Sequence, residues 1–240
     1  MAHDYNSQDI KILEGLEAVR VRPGMYIGST GPKGLHHILW EIVDNAIDEA
    51  ANGFADKVEV VLYKDGSVSV EDNGRGIPTD IHKQAGVSGV QVVFTQLHAG
   101  GKFNNENYSF SGGLHGVGAS VTNALSEWLE VEVYNKVVYK MRFHSYFDKT
   151  RKKMISGEPE APLEKTKIKT DKHGTFVRFK PDKEVFETVE FSLETIAKRL
   201  RELAFLNKGI TIKLTDLRDD EKFYSKTFKS DGGLIDYVLY

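Results

Sequence analysis

The chain has 240 residues, with 32 Lys and Arg against 35 Asp and Glu, so its formal net charge is −3. This weakly acidic balance lacks the basic footprint of a duplex-DNA reader, while the 40% hydrophobic content is enough for a sizeable core. The absence of cysteine excludes disulfides, thiolate metal sites and cysteine nucleophiles. No apolar run resembles a signal peptide or a membrane span, and we expect a cytoplasmic protein.

The first half of the sequence contains one clear helix and one clear hairpin. Residues 1–33 are polar and rich in turn residues, and we interpret them as an arm rather than a packed element. Residues 34–52 place apolar side chains at i, i+3, i+4 and i+7, which predicts a helix that ends near Gly53. Two strands, Val58–Tyr63 and Ser67–Glu71, are predicted to form a hairpin.

The second half contains further helices and then mainly strands. Helices are predicted over residues 86–98 and 117–126, on either side of a glycine-rich segment. The strands are expected at Leu129–Tyr134, Val137–Phe143, Thr175–Phe179 and Gly209–Leu214, with a helix over Leu193–Phe205. Residues 149–172 are rich in Lys and Arg and poor in apolar residues, so we interpret them as a mobile, solvated loop. This order predicts an α+β fold with helices on one face of a mixed or mostly antiparallel sheet.

Polar side chains cluster on one face of the helix over residues 34–52. His37, Glu41 and Asn45 are spaced i, i+4 and i+8, so they lie on successive turns of the same face. A solvated helix face would explain this pattern. The alternative is a site in which a carboxylate orients water, a histidine supports it and an amide oxygen binds Mg²⁺.

A second candidate feature is the turn that follows the hairpin. Asp72 ends a predicted strand, and Gly76 follows four residues later. A carboxylate at a strand end can accept a hydrogen bond from an amine such as adenine N6, and a nearby glycine lets the backbone approach a flat ring. An ordinary turn is the alternative, because Asp-Asn-Gly is a frequent turn sequence.

The third feature is the glycine-rich segment over residues 99–118. It matches neither a Walker A loop nor a Rossmann loop. Residues 112–118 nevertheless open a predicted helix, so their N–H groups could bind an anion, with Lys102 as an added cation. A flexible linker is the alternative.

Taken together, four segments occur in a fixed order. They are Glu41–Ala50 (EIVDNAIDEA), Asp72–Pro78 (DNGRGIP), Leu97–Phe103 (LHAGGKF) and Ser111–Gly118 (SGGLHGVG). This series resembles the GHKL ATPases, a family that includes gyrase, Hsp90, histidine kinases and MutL, and its long glycine motifs are similar to the type IIA topoisomerase branch. The segment over residues 19–28 is similar to the gyrase B family and to its paralogues in topoisomerase IV, and residues 198–207 favour the gyrase branch.

The resemblance implies a Bergerat fold, a two-layer α/β sandwich, and a role for each matched residue. Glu41 would be the general base, supported by His37, and Asn45 would hold Mg²⁺. Asp72 would bind the adenine amine. The other nucleotide contacts implied are Arg75, Gly76, Ile77, Pro78, Lys102, Tyr108, Leu114, His115, Gly116, Val117, Gly118 and Thr175. Tyr5 and Ile10, on the arm, would cross to the nucleotide site of a second copy when ATP closes a dimer.

The resemblance also implies a domain organisation and partners. Residues 34–240 would form the ATP-binding domain, as a fragment of a longer chain whose transducer part and whose parts that bind DNA and gyrase A are absent. We therefore expect this chain to bind ATP or an ATP-competitive inhibitor, to hydrolyse ATP slowly and to have no membrane contact. The alternatives are the corresponding ATPase domain of topoisomerase IV, a histidine-kinase-type domain, and a nucleotide-binding module that acts only as a clamp or a chaperone-type switch.

Overall fold

A seven-stranded sheet forms one layer of the computed structural model, which describes residues 15–97 and 118–239. The strands are β1 (Lys57–Leu62), β2 (Val68–Asp72), β3 (Ser126–Asp148), β4 (Lys153–Pro159), β5 (Glu164–Pro181), β6 (Thr211–Asp216) and β7 (Tyr224–Lys229). The helices are α1 (Leu16–Val21), α2 (Gly24–Ile27), α3 (Pro32–Ala51), α4 (Gly89–Thr95), α5 (Ala119–Ala124), α6 (Leu193–Leu206) and α7 (Leu234–Leu239).

The sheet is mixed but mostly antiparallel. Its strand order is β4-β3-β5-β2-β1-β6-β7, and among these pairs only β1 and β6 are parallel. The strand β5 therefore lies between two strands that precede it in the chain. This arrangement, with the helices on one face, confirms the predicted α+β fold class.

Strand β3 reverses direction within its length. Arg142 makes an ion pair with Glu130, twelve residues earlier in the same strand, although twelve extended residues would span about 40 Å. Lys136 lies between them with φ 59°, a left-handed conformation that suits a tight hairpin turn. The two separate strands predicted before and after this position are thus confirmed.

Two expectations about irregular segments were wrong. Residues 149–172 are not a loop, because they contain β4 and the first part of β5, which pair with β3. The lysines of this ribbon, formed by β4 and the first part of β5, remain in water while its backbone groups are hydrogen-bonded. Its polar composition therefore hid its strands.

Residues 15–33 include α1 and α2, and the side chains of Leu16, Val19 and Ile27 are buried in the core. They are packed, contrary to the interpretation of an arm.

The helix that carries the polar face is packed against the sheet through its other face. In α3 the buried apolar side chains include Leu35, Ile38, Leu39, Ile42, Val43, Ala46 and Ile47. They join the buried residues of β1, β2 and β3 in one core. Their spacing is the i, i+3, i+4, i+7 pattern, so burial of this face turns the polar face away from the sheet. Strand β7 and helix α7 were not predicted. No helix in the described part of the chain is long and apolar enough to cross a bilayer.

Candidate functional site

The site begins with a buried carboxylate on α3. Glu41 is only 7% exposed, and His37 lies one turn earlier with its Nε2 3.1 Å from Glu41 Oε1. An ionised carboxylate only accepts hydrogen bonds, so the imidazole N–H donates to it. The predicted pairing of these two residues on one helix face is present in the structure.

The second oxygen of this carboxylate is held from another element. Gly118 donates its backbone N–H to Glu41 Oε2 at 3.1 Å, and Gly118 is the residue that precedes α5. The carboxylate is therefore fixed by one bond at each oxygen, and each oxygen keeps further acceptor capacity. Two helices that are distant in sequence thus position Glu41.

A second acidic group lies at the end of β2, where the sequence predicted it. Asp72 Oδ1 accepts the backbone N–H of Gly74 at 2.8 Å. Burial raises the pKa of the Asp72 carboxyl from 3.8 to about 7, and the charges of Glu49 and Glu71 add to this shift. The N–H groups of Gly74 and Thr175 oppose the shift. The carboxyl is therefore held among groups that disfavour its charge.

The backbone around Asp72 is packed too closely for side chains. Gly174 has φ 117°, and a Cβ at this position would lie 2.0 Å from the Asp72 carbonyl oxygen. Gly76 has φ 82°, and a Cβ there would lie 3.0 Å from Val133. Glycine at both positions allows the DNGRG turn to lie directly against β5.

Strand β5 also contributes a side chain to this turn. Thr175 is buried, and its Oγ1 accepts the backbone N–H of Ile77 at 3.1 Å. Asp72, Gly76, Ile77 and Thr175 therefore lie together, as the resemblance implied. Pro78 is exposed on the same turn, and Gly89 at the start of α4 packs against its carbonyl oxygen.

A further residue of the site, Glu49 on α3, had no predicted role. Its carboxylate accepts the backbone N–H of Arg75 at 3.0 Å, and the Arg75 Nη2 donates to it at 2.7 Å. The Arg75 guanidinium stacks on the Phe54 ring, 3.6 Å from its centroid. Glu49 lies within the EIVDNAIDEA motif, eight residues after Glu41, so the helical period that placed Asn45 could also have identified it.

Asn73 anchors the same turn to the start of β1. Its side-chain oxygen accepts the backbone N–H groups of Asp56 and Lys57 at 3.0 Å each, and its amide donates to the Asp56 carboxylate at 2.7 Å. The Asp-Asn-Gly sequence is thus a structured turn, and the carboxylate beside it is fixed in place.

The predicted magnesium ligand is available for coordination. Asn45 is half-buried one turn after Glu41, and its side chain has no hydrogen-bond partner among residues 15–97 and 118–239. The same part of the chain contains no group of three or more His, Asp or Glu that could hold a metal. An amide oxygen is a ligand type that Mg²⁺ accepts, beside waters and substrate phosphates.

The positions of several predicted site residues are not described by the structure. Tyr5, Ile10, Lys102, Tyr108, Leu114, His115, Gly116 and Val117 lie outside the described residues. A separate groove of 1220 Å³, lined by residues that include Arg20, Trp128 and Asp182, contains none of the predicted site residues.

Fold and sequence together place the chain in an ATPase family. The model of the family described as "Histidine kinase-, DNA gyrase B-, and HSP90-like ATPase" matches residues 30–185, and the chain belongs to this family. These residues include α3, the DNGRG turn and Thr175, and the resemblance found in the motifs is confirmed.

Within this family the chain is similar to gyrase B proteins. It is 54% identical to DNA gyrase B of Thermotoga maritima over 98% of this chain and 35% of that protein. The identity to DNA gyrase B of Archaeoglobus fulgidus is 53% over 99% of this chain and 36% of that protein. The chain therefore spans about a third of the length of these curated relatives.

A solved structure shows the same similarity. It is the 43K ATPase domain of Thermus thermophilus gyrase B in complex with an aminocoumarin, with a TM-score of 0.78 and 40% identity. The match covers 93% of this chain and 54% of that one.

Proposed function

We propose that this chain is the ATP-binding and ATP-hydrolysing domain of a type II DNA topoisomerase, namely of gyrase B, in which ATP-driven dimer closure powers DNA supercoiling. The observation that carries the proposal is the Glu41 carboxylate, buried on α3 and fixed by His37 and by the Gly118 N–H. The gyrase B names of the relatives support the same assignment.

The chemistry that we assign to Glu41 is the orientation of a water molecule. Phosphoryl transfer to water depends mainly on positioning and on neutralisation of charge. A carboxylate held at both oxygens keeps one orientation, and its remaining lone pairs can accept a hydrogen bond from the attacking water. His37 would keep Glu41 in place, and Asn45 would hold Mg²⁺, which neutralises phosphate charge when bound.

The remaining assignments follow the resemblance. Asp72 would accept the adenine amine, with Gly76 and Thr175 completing the pocket, and Arg75, Ile77 and Pro78 forming its wall. The phosphates would be bound by Lys102 and by the backbone of residues 114–118, with Tyr108 as a further nucleotide contact. An ATP-competitive inhibitor with adjacent donor and acceptor groups would use Asp72 in the same way.

The partners of the whole protein are part of the proposal. Tyr5 and Ile10 would contact a second copy of the chain when ATP is bound. Contacts with gyrase A and with DNA would be made by the two thirds of the relatives' length that this chain does not span.

The adenine assignment can be tested by calorimetric titration of the chain with Mg²⁺ and a nonhydrolysable ATP analogue. We expect saturable binding, weakened about 10- to 100-fold in Asp72→Asn, because an amide can present an N–H where a charged acceptor is needed. Glu41→Gln is the matched control and should bind as the wild type does. Equal affinity in wild type and Asp72→Asn would place the adenine elsewhere.

The assignment of Glu41 is tested separately in the full-length protein. Glu41→Ala should abolish turnover while nucleotide binding persists, and turnover that survives this change would favour the clamp or switch alternative. Supercoiling rather than decatenation by the full-length enzyme would separate the gyrase from the topoisomerase IV assignment.

A further inference from the structure

Helix α5 connects the proposed general base to the N-terminal helix α1. All six residues of α5 are buried, and the helix is about 9 Å long at 1.5 Å per residue. At its start the Gly118 N–H donates to Glu41, and at its end the Ala124 carbonyl accepts a bond from Arg20 Nη1 at 3.2 Å. Because the helix is so short, the Arg20 contact at its end can help to fix the position of the Gly118 N–H at its start.

Arg20 is itself rigidly held. Its guanidinium makes an ion pair with Asp182, and the two side chains are only 8% and 7% exposed. The backbone N–H of Asp182 donates to the Leu125 carbonyl at 3.1 Å, and Asp182 Oδ1 accepts the N–H of Glu184 at 2.8 Å. Arg20 and Asp182 thus bind two successive carbonyls at the end of α5, where a cation is also favoured by the helix dipole.

Other contacts of α5 act in other directions. Thr122 Oγ1 donates to the Ile38 carbonyl of α3 at 2.8 Å, and Asn123 donates to the carbonyls of Phe94 and Gly157. These side-chain bonds extend sideways from the helix. The Ala124 carbonyl points along the helix axis, so the Arg20 bond opposes movement along that axis. Movement in this direction would change the distance between Gly118 and Glu41.

From this geometry we infer that Arg20 is a positioning residue for Glu41, acting through α5 with Asp182 as its anchor. The inference deepens the proposed function and rests on it, because orientation of Glu41 matters for hydrolysis only if Glu41 is the general base. It gives α1, the described helix nearest the N-terminus, an effect on the reaction through α5.

The structural part of the inference can be tested without nucleotide. The amide proton signal of Gly118 in the ¹⁵N-labelled chain reports its bond to Glu41, and Glu41→Gln identifies the shift that accompanies a weaker acceptor. We expect an upfield shift in the same direction for Arg20→Lys and for the charge-neutral pair Arg20→Met with Asp182→Asn. Glu17→Gln is the matched control, because it removes a partly exposed ion pair that joins α1 to Lys153 of β4.

The functional part is tested in the full-length protein by single-turnover hydrolysis at saturating Mg²⁺ and ATP. Since small misplacements of a positioned group can cost up to about a hundredfold, we expect a loss of tenfold or more in rate in both Arg20 variants. Nucleotide affinity should stay within about twofold, and Glu17→Gln should match the wild type. A general loss of packing would weaken nucleotide affinity as well.

The outcomes separate this inference from the proposed function. An unchanged Gly118 signal and an unchanged rate in both Arg20 variants would overturn the inference and leave the assignment of Glu41 intact. A shifted Gly118 signal with an unchanged rate would overturn the role of Arg20 in the reaction. Absence of Glu41-dependent hydrolysis in the full-length wild type would instead refute the proposed function. The conservative Arg20→Lys variant keeps the positive charge beside Asp182, so the test does not depend on the doubly changed chain folding.

Discussion

Asp72 is held in an environment that opposes its own charge. The residue is half-buried close to Glu49 and Glu71. Burial and the charges of these neighbours raise the pKa of its carboxyl, while the N–H groups of Gly74 and Thr175 stabilise its ionised form only in part. Such a residue weakens the fold at neutral pH and is typical of a site that recognises a ligand. A hydrogen-bond donor brought by the ligand would relieve this cost.

The pH dependence of stability can be predicted from this shift. The pKa of Asp72 is about 7 in the folded chain and 3.8 when unperturbed, so ionisation destabilises the fold increasingly as pH rises from about 4 to about 7. The stability gained by Asp72→Asn should therefore be greater at pH 8 than at pH 5, by about 1–3 kcal/mol. Urea denaturation at the two pH values measures this difference.

Asp236 provides the control for that experiment. The Ser230 hydroxyl and the Gly232 N–H hold the pKa of this carboxyl below its usual value of 3.8. Its contribution to stability is lost only below that value, so the effect of Asp236→Asn should be constant between pH 5 and pH 8. A similar pH trend in both variants would contradict the origin assigned to the Asp72 effect.

A second prediction concerns the close approach of β5 to Asp72. Gly174→Ala adds a Cβ that would lie 2.0 Å from the Asp72 carbonyl, whereas Gly66→Ala, also at positive φ, adds one with no atom within 4 Å. Both changes carry backbone strain, but only the first forces atoms apart. We expect Gly174→Ala to lower the free energy of unfolding by at least about 2 kcal/mol more than Gly66→Ala. Equal losses would show that strain alone determines the cost.

The sequence predicted the acidic residues of the site better than their partners. Glu41 and His37 share a helix face, so the helical period alone placed them together. The Gly118 and Thr175 contacts join residues 77 and 98 positions apart, and no local pattern reports such distances. Thr175 was implied by the resemblance, whereas the positions of Arg20 and Asp182, 162 residues apart, became visible only in the structure.

At the scale of elements, the hairpin turn in β3 contains a residue with an unfavourable conformation. Lys136 has φ 59°, which costs an L-residue other than glycine about 1 kcal/mol or more. Lys136→Gly would create the Asn-Gly pair preferred in such turns, at some cost in chain entropy. We expect a net stabilisation of about 0.5 kcal/mol, measured as a higher urea midpoint.

Lys152 offers a parallel case, because it has φ 52° before β4. Lys152→Gly should also stabilise the chain, while Lys140→Gly, within the extended part of β3, should destabilise it. If all three changes destabilise the chain, the conformational argument is wrong.

The element boundaries that sequence reasoning missed share a physical cause. The helix α3 and the strands β1 and β2 bury one face each, so their apolar periods were clear. Early β5 is mostly exposed, as at Lys165, Lys167 and Lys169, and β4 is largely half-buried, so these strands depend on backbone pairing with β3. Charge composition carries no information on such pairing, and the same segment was therefore interpreted as a loop.

At the scale of the whole molecule, exposed and buried ion pairs have different roles. The cross-strand pair of Glu59 and Lys213, for example, is exposed to solvent on the sheet. Exposed pairs of this kind contribute about 0–1 kcal/mol each, whereas removal of one partner from a buried pair costs about 3–5 kcal/mol. The buried pair of Arg20 and Asp182 belongs to the second class.

This contrast gives a prediction for stability. Glu59→Gln should change the free energy of unfolding by less than about 1 kcal/mol, and added salt should reduce even that effect. Arg20→Met alone should cost about 3–5 kcal/mol, because it leaves the Asp182 charge buried without its partner. Denaturant titrations at low and high salt measure both changes. A large, salt-sensitive loss of stability in Glu59→Gln would contradict the contrast between exposed and buried pairs.

The position of β5 in the sheet has a consequence for the order in which the protein can fold during synthesis. Strands β2 and β3 leave the ribosome before β5, yet β5 lies between them and supplies Gly174 and Thr175 to the Asp72 turn. Until it arrives, the Asp72 turn of the nascent chain lacks the strand it packs against, and β2 exposes a strand edge that can pair with other chains. Newly made chains therefore aggregate most readily before residue 181 has left the ribosome. Ligand binding at the Asp72 turn can stabilise them least during the same interval.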